Sequence, residues 1–200
     1  MNSRVWLTIP NGLALFLGVV VGGLFCVGVV TDVAAVPALH NSESGYFVEY
    51  ERSLPVGLEI PELNIRAAFG RPLGVLTTGE SEVPDTPGEV GWYQFSPTPG
   101  ERGPAVVLGH VDSLQGPAVF YTLGQLEPGN DIYINREDGS RVHFVVSRLK
   151  RYPREGFPTN EVYGDIDYAG LRLITCSGLY NYSLLRYSHT LVVYAEAVAS

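Results

Sequence analysis

The segment "DIYINREDGSRVHFVV" (residues 131–146) gives the clearest indication of the fold. Isoleucine, valine and aromatic residues, which favour β-strands, lie on both sides of a short polar stretch. Asp138-Gly139 is at the centre of that stretch, and this dipeptide is a strong hairpin signal because glycine readily adopts positive φ. The segment therefore predicts two antiparallel strands joined by a tight turn.

Similar short apolar runs occur on both sides of this hairpin. They include "GLEI", "NIRAAF", "AVVLGHV", "LRLITC" and "TLVVYAEAV", and turn sequences such as "SPTPGERGP" and "LEPGND" separate them. Long helical periodicity is absent from the sequence, and only short helices are predicted, for instance around residues 119–126. Many short strands at close spacing predict one mainly β domain, a sandwich or a barrel, at residues 54–200.

The beginning of the chain has a different character. Residues 5–30 carry no charge, and this run of about 26 residues exceeds the roughly 20 that a membrane-spanning helix needs. A cleaved signal peptide is the alternative, with "DVAAVPA" as a loose cleavage site, but its apolar region would be shorter. Arg4 precedes the run and Asp32 follows it, so residues 1–4 are expected in the cytoplasm.

These features predict a single-pass protein of the plasma membrane, with its N-terminus in the cytoplasm and the β domain outside the cell. Residues 31–53 lack periodicity and are interpreted as an extracytoplasmic tether. The net charge of −8 argues against a nucleic-acid partner, because phosphates require a dense Lys/Arg surface.

The chain has two cysteines, Cys26 and Cys176. Cys26 lies in the predicted membrane span, so a disulfide between the two is not expected. There is no CxxC pair and no cluster with metal-ligand spacing, so neither a metal nor a cofactor is predicted. An unpaired thiol outside the cell is either buried and inert or kept because it reacts, and the cysteine count leaves both alternatives open.

Two residues at strand ends have the chemistry of a catalytic pair. Cys176 ends the apolar run in "LRLITCSG", and His110 ends the run in "VVLGHVDS". Histidine titrates near neutral pH and can exchange a proton with a thiol or a leaving group. They are 176 − 110 = 66 residues apart, so only the fold can bring them together. Each alone is more often a structural residue than a catalytic one.

The motifs around these two residues resemble those of sortases. "LITCSG" is similar to the sortase signature, in which Leu173, Thr175 and Cys176 match and Arg172 stands in place of the first threonine. "GHVDS" resembles the histidine motif of class F sortases, and "VPDTPGEVGWYQF", "GPAVFYTLGQLEPGN" and "RYPREGFPTNEVYG" match in register, over about residues 55–198. The resemblance implies an eight-stranded β-barrel behind an N-terminal membrane anchor.

The resemblance also implies a reaction. The Cys176 thiolate would attack the Thr–Gly carbonyl of an LPXTG-like sorting signal at the C-terminus of a secreted protein. His110 would protonate the departing amine, and an amine of a cell-wall precursor would resolve the thioester. The implied partners are secreted proteins with such a signal, the cell-wall amine and the membrane.

The third catalytic residue departs from the family pattern. Sortases usually place an arginine at the start of the last strand, and by register against "LVVYA" that position is Thr190. Arg186 is the predicted replacement, with His189 and Arg172 as alternative donors to the substrate oxygen. Thr175, Thr190 and His189 are the candidate substrate-binding residues.

Asp112 and Ser113, which follow His110, are expected either to orient its imidazole or to form a turn.

Two other functions are compatible with these residues. A thiol hydrolase would use the same Cys–His pair, with water in place of the amine. The second alternative is a catalytically weak or inactive surface domain that binds sorting-signal peptides. Thr190 supports the inactive domain, whereas the presence of Cys176 and His110 opposes it.

Overall fold

The computed structural model describes residues 38–42 and 45–198. The predicted cytoplasmic start (residues 1–4), the predicted anchor (residues 5–30) and the first part of the tether lie outside the described residues. Within the described part of the chain, no helix has the length and apolarity that a membrane crossing requires.

The described residues form mostly strands. The strands are β1 Ala38–Ser42, β2 Gly45–Glu49, β3 Pro55–Ile60, β4 Ile65–Ala68, β5 Val90–Trp92, β6 Gly103–Gly109, β7 Asp112–Ser113, β8 Gly116–Pro117, β9 Asp131–Arg136, β10 Arg141–Pro153, β11 Ala169–Asn181 and β12 Arg186–Ala197. The helix α1 covers Thr159–Tyr163, and 3-10 turns cover Pro61–Leu63 and Leu123–Gln125. The second of these turns lies where a short helix is predicted from the sequence.

Eight of these strands form one sheet in the order β4-β3-β9-β10-β12-β11-β6-β5. Neighbours are antiparallel except β6 and β11, which are parallel. Its two edges approach each other beyond β4, where the backbone N–H of Gly70 donates to the carbonyl of Val90 at 2.9 Å. Joining the edges in this way removes most of the unpaired backbone of an open sheet. The nearly closed barrel confirms the predicted mainly β, eight-stranded architecture.

The hairpin of residues 131–146 is confirmed. β9 and β10 pair antiparallel, from Asp131 opposite Val145 to Asn135 opposite Arg141. Gly139 in the connecting turn has a φ of 81°, a conformation that residues with a Cβ rarely adopt.

Both faces of the central strands are covered by apolar side chains. Leu171 and Leu173 of β11 point into the barrel, where β9, β10 and β12 contribute further buried residues. Ile174 points the other way, into a second cluster with Val162 of α1 and other residues of the covering segments. Because both faces are packed, every residue of β6 is buried, as is usual for parallel strands in a sheet interior. The strand ends beyond this packing are held rigidly.

The predicted tether is in contact with the domain at its C-terminal end. β1 and β2 form a hairpin within residues 31–53. The backbone N–H of Tyr50 donates to the carbonyl of Gly100 at 3.1 Å, and the Tyr50 ring lies against the buried guanidinium of Arg136. Arg136 also donates to the backbone carbonyl of Glu51. Contacts with the barrel therefore begin before Leu54, the boundary expected from composition alone.

Candidate active site

The register of the two parallel strands brings Cys176 and His110 side by side. In the β6–β11 ladder Leu108 pairs with Ile174, an offset of 174 − 108 = 66 residues. Two residues further along both strands this offset leads to His110 and Cys176. His110 directly follows β6, and neighbouring strands are about 4.8 Å apart, so extending the register beyond its last observed pair places His110 beside Cys176.

The residues just before this pair lock the two strands together. The hydroxyl of Thr175, which is buried, donates to the carbonyl of Gly109 at 2.8 Å. A Cβ at Gly109 would lie 2.4 Å from the ring of Phe120, so the chain has room only for glycine before the histidine. Thr175 lines the groove, and its hydroxyl is used in the bond to the Gly109 backbone.

A backbone carbonyl orients the imidazole of His110. Nε2 lies 2.8 Å from the carbonyl oxygen of Pro84, and because a carbonyl only accepts, Nε2 carries the hydrogen. Nδ1 is then the ring nitrogen that is available to accept a proton. The backbone of His110 is also fixed, because its carbonyl accepts from the N–H of Phe120 at 2.9 Å.

The two polar residues after His110 have other partners. The carboxylate of Asp112 accepts a hydrogen bond from the hydroxyl of Tyr187 on β12, and this bond raises the pKa of Tyr187 to about 12. Ser113 donates to the carbonyl of Gly116 at 3.3 Å within the β7–β8 turn. Of the two expected roles, Ser113 has the turn role, and Asp112 links this turn to the last strand.

The thiol of Cys176 is half-buried, and its electrostatic surroundings have opposing effects. Burial raises the pKa of the Cys176 thiol, and the carboxylates of Asp112 and Glu80 raise it further, whereas the guanidinium of Arg154 lowers it. The net shift is upward, so the neutral thiol predominates at pH 7 and the thiolate fraction grows as the pH rises.

Cys176 and His110 both lie on a groove of about 900 Å³. One wall is a turn at residues 74–82, in which the N–H of Leu76 donates to the carbonyl of Glu80 at 2.8 Å. The other wall is the tip of the β11–β12 hairpin. Aromatic side chains cover part of the lining between the walls: Tyr93, Phe95, Phe157 and Tyr163. A groove of this size and apolar character suits an extended peptide with a few polar groups.

Arg71 fastens the segment that carries Pro84. Its guanidinium lies 2.6 Å from Glu82 and 3.0 Å from Asp85, and Glu82 also accepts the backbone N–H of Gly74 at 2.8 Å. The hydrogen bond from Arg71 lowers the pKa of Glu82. Through these contacts the wall of the groove and the carbonyl that orients His110 belong to one polar network.

The residues predicted for substrate binding divide into two groups. Thr190 is directly opposite Cys176 in the β11–β12 ladder and lines the groove, as does Arg186 near the hairpin tip. His189 and Arg172 are not part of the groove lining among the residues that the structure describes. His189 alternates to the other face of β12. Arg172 is only 2% exposed and lies against the ring of Tyr194.

Sequence inspection missed two charged residues of the groove. Arg154 follows β10 and forms an ion pair with Glu80, with Nη2 and Oε1 2.6 Å apart. Arg154 lies in the matching segment "RYPREGFPTNEVYG", but the segment assigns it no role, and only the pairing of β10 with β12 places it near the site. The carbonyl of Pro84 was also missed, because a backbone group leaves no trace in residue identity.

Comparisons with known proteins come from sequence and from structure. The sortase domain family model matches residues 58–198. The fold is similar to that of sortase A from Corynebacterium diphtheriae, with a TM-score of 0.54 and 22% identity over 75% of this chain and 63% of that chain. It is also similar to sortase C-1 from Actinomyces oris, with a TM-score of 0.54 and 21% identity over 73% of this chain and 76% of that chain.

The chain spans less than two thirds of the Corynebacterium diphtheriae chain. At these identities the structural likeness is evidence for the fold. No curated protein sequence matches the chain.

Proposed function

Because the chain belongs to the sortase family, whose members are cysteine transpeptidases, we propose that it cleaves an LPXTG-like sorting signal and transfers the acyl part to an amine of the cell wall. One observation carries the proposal. Cys176 on β11 and His110, which directly follows the parallel neighbour β6, line the same groove.

In the first step the thiol of Cys176 passes its proton to Nδ1 of His110. The sulfur forms a bond to the scissile carbonyl carbon, and the carbonyl π electrons move to oxygen. Collapse of this intermediate restores the C=O bond and breaks the C–N bond. His110 gives the proton at Nδ1 to the departing amine, so the products are a thioester on Cys176 and a neutral amine. The bond to Pro84 holds the ring in one orientation during this transfer.

The second step reverses the roles of the two residues. An amine of the cell-wall precursor attacks the thioester carbon, and its proton passes to His110. The C–S bond breaks, and the sulfur leaves as the thiolate and takes the proton back from His110. Atoms and charges are then as they were at the start, so the enzyme is ready for another cycle.

The finer assignments follow from the sequence. The motif "GHVDS" supports membership of class F. The uncharged run of residues 5–30 supports a single-pass anchor in the plasma membrane, with the catalytic domain outside the cell. The polypeptide partners in this scheme are secreted proteins that carry a C-terminal sorting signal.

The test uses the full-length chain in detergent, an LPXTG peptide and a glycine-based amine. We expect a thioester adduct on Cys176 by intact mass and a product that requires the amine. The rate should rise with pH, because the raised pKa of the thiol keeps the thiolate fraction low at neutrality. Cys176→Ala should form neither the adduct nor the product.

The alternatives give different outcomes in the same experiment. A peptide cleaved at equal rate with and without the amine would identify a thiol hydrolase. Peptide binding without cleavage would identify an inactive binding domain. Equal product from wild type and Cys176→Ala would contradict catalysis by this cysteine.

A further inference from the structure

The proposed mechanism needs a donor for the negative charge on the carbonyl oxygen. In the β11–β12 ladder the residue opposite Cys176 is Thr190, which carries no charge. A developing oxyanion is stabilised strongly by a preorganised donor in a water-poor site, and losing one such donor lowers the rate about 10²–10³-fold. A cation from a neighbouring strand or loop could therefore stabilise the negative charge on the carbonyl oxygen, which Thr190 cannot do by charge.

Strand pairing places Arg154 on the same face as the thiol. Thr190 is opposite Cys176 on one side and opposite Tyr152 of β10 on the other. Residues directly opposite each other in a sheet point to the same face, and so do residues two apart along a strand. Arg154, two residues after Tyr152, thus shares a face with Cys176.

The distance along the sheet suits a long side chain. The N–H of Arg154 donates to the carbonyl of Ser188 at 3.1 Å, which extends the β10–β12 ladder beyond Pro153. Arg154 is then a diagonal neighbour of Thr190, at about 7–8 Å between Cα atoms, and long side chains span that distance. The short side chain of Thr190 leaves the path towards the thiol open, and the Arg154 side chain lines the groove.

Arg186 occupies a different part of the groove. It is four residues from Thr190 along β12, about 13 Å at about 3.3 Å per residue, and it pairs with Asn181 near the hairpin tip. Arg154 is the cation that lowers the pKa of the Cys176 thiol, against the effect of burial.

Glu80 holds the Arg154 guanidinium in place. The ion pair uses Nη2, at 2.6 Å from Oε1, and a guanidinium has five N–H donors in a rigid fork. Among the described residues no second acceptor binds this guanidinium, which leaves Nε–H and Nη1–H for a ligand in the groove.

We propose that Arg154 is a catalytic residue that donates to the carbonyl oxygen as Cys176 attacks, with Glu80 as its positioning residue. This proposal rests on the proposed transpeptidation. When the C–S bond forms, the oxygen gains the negative charge and a guanidinium N–H binds it. When the C–N bond breaks, the charge returns to the C=O bond and the hydrogen bond weakens.

The test compares single variants of the full-length protein in the peptide and amine assay. R154A should lower kcat/KM about 10²–10³-fold, and R154K should recover part of that loss, because lysine keeps the charge without the fork. R186A should lose less than R154A. R151A is the matched control, since Arg151 is an exposed arginine on the opposite face of β10, and it should retain wild-type kcat/KM.

A second measurement follows the ionisation of the Cys176 thiol directly. The pH profile of Cys176 alkylation should move to higher pH in R154A and to lower pH in E80Q, because the first loses a cation and the second a carboxylate. R151A should leave the profile unchanged. A loss of folding alone would not move the two profiles in opposite directions.

The outcomes separate this proposal from the one on which it rests. Near-wild-type transfer by R154A, or a larger loss in R186A, would overturn the role of Arg154 while transpeptidation stands. If wild type transfers nothing, the proposed function fails. An alkylation profile that does not respond to R154A would also overturn the placement of Arg154 beside the thiol.

Discussion

The strand ends that carry Cys176 and His110 differ from the two walls of the groove in how they are held. β6 and β11 are bound on both sides by ladder partners and buried up to the residue before His110 and Cys176, respectively. The hairpin wall is exposed, with Leu179 at 83% and Leu185 at 75%, and side-chain bonds such as that of Tyr187 to Asp112 hold it. Reactive groups thus stand on rigid backbone, and the surfaces that would meet the substrate open more easily.

The largest expected difference between the two regions is in stability. Leu171→Ala, inside the barrel and 0% exposed, should lower the free energy of unfolding by about 2–5 kcal/mol, because it leaves a cavity. Leu184→Ala, in the exposed hairpin wall, should change it by less than about 0.5 kcal/mol. Chemical denaturation of both variants measures this. Equal losses would show that the hairpin is as integral to the fold as the barrel.

A smaller loss of stability is expected where a hydrogen bond joins the ends of β6 and β11. Thr175→Val keeps the side-chain shape and removes the hydroxyl that binds the Gly109 carbonyl. Leaving that buried acceptor without its partner should cost about 1–3 kcal/mol of stability, visible as a lower denaturation midpoint. Thr175→Ser retains the hydroxyl and is the control. If both variants unfold at the same midpoint, the hydrogen bond is not what fixes the strand ends.

In the wall formed by residues 74–82 a substitution should affect catalysis more than it affects stability. Arg71→Gln removes the ion pairs to Glu82 and Asp85, and exposed ion pairs contribute little to stability. It also loosens the segment whose Pro84 carbonyl orients His110. Since misplacement of a catalytic group by about 1 Å can cost up to about 10²-fold, kcat should fall roughly tenfold with little change in melting temperature. An unchanged kcat would show that this segment does not control the position of His110.

The smallest effect is expected at the contact between the walls and the β7–β8 turn. Tyr187→Phe removes the hydroxyl bound by Asp112 and should raise KM slightly, with unfolding unchanged. In wild type a tyrosine should ionise near pH 12 because of this carboxylate, and Asp112→Asn should lower the pKa of that phenol. A tyrosinate absorbance titration follows both, and identical titrations for the two proteins would exclude the bond in solution.

Sequence could predict the barrel because short runs of β-branched and aromatic residues alternate along the chain with turn sequences that carry their own signals. The hairpin of residues 131–146 needs only local information, and the exposed Asp138-Gly139 turn supplies it. The motifs around Cys176 and His110 mark both residues in the sequence, and their separation of 66 residues is the register offset of β6 and β11. The match between this separation and the register offset predicts that the two residues are close only once β6 and β11 are known to be parallel neighbours.

The rest of the site depends on contacts between distant segments. Arg154 and Glu80 form an ion pair although they are 74 residues apart in sequence. The imidazole binds the backbone carbonyl of Pro84, a group that any residue would provide. The docking of Tyr50 on the barrel is not visible in the sequence for a similar reason, since its partners Gly100 and Arg136 are far away in sequence. Local patterns define strands, whereas such contacts follow from the register between strands.

The parallel pairing of β6 with β11 also ties the assembly of the candidate site to the progress of folding. During synthesis His110 leaves the ribosome well before Cys176, and β6 lacks this neighbour until residues 169–174 are available to pair. Closing so long a loop is slow, because its entropy is lost before the contacts form. A chain that has formed only its local hairpins therefore carries both reactive groups without a joint site. The onset of amine transfer would mark the moment at which folding is complete.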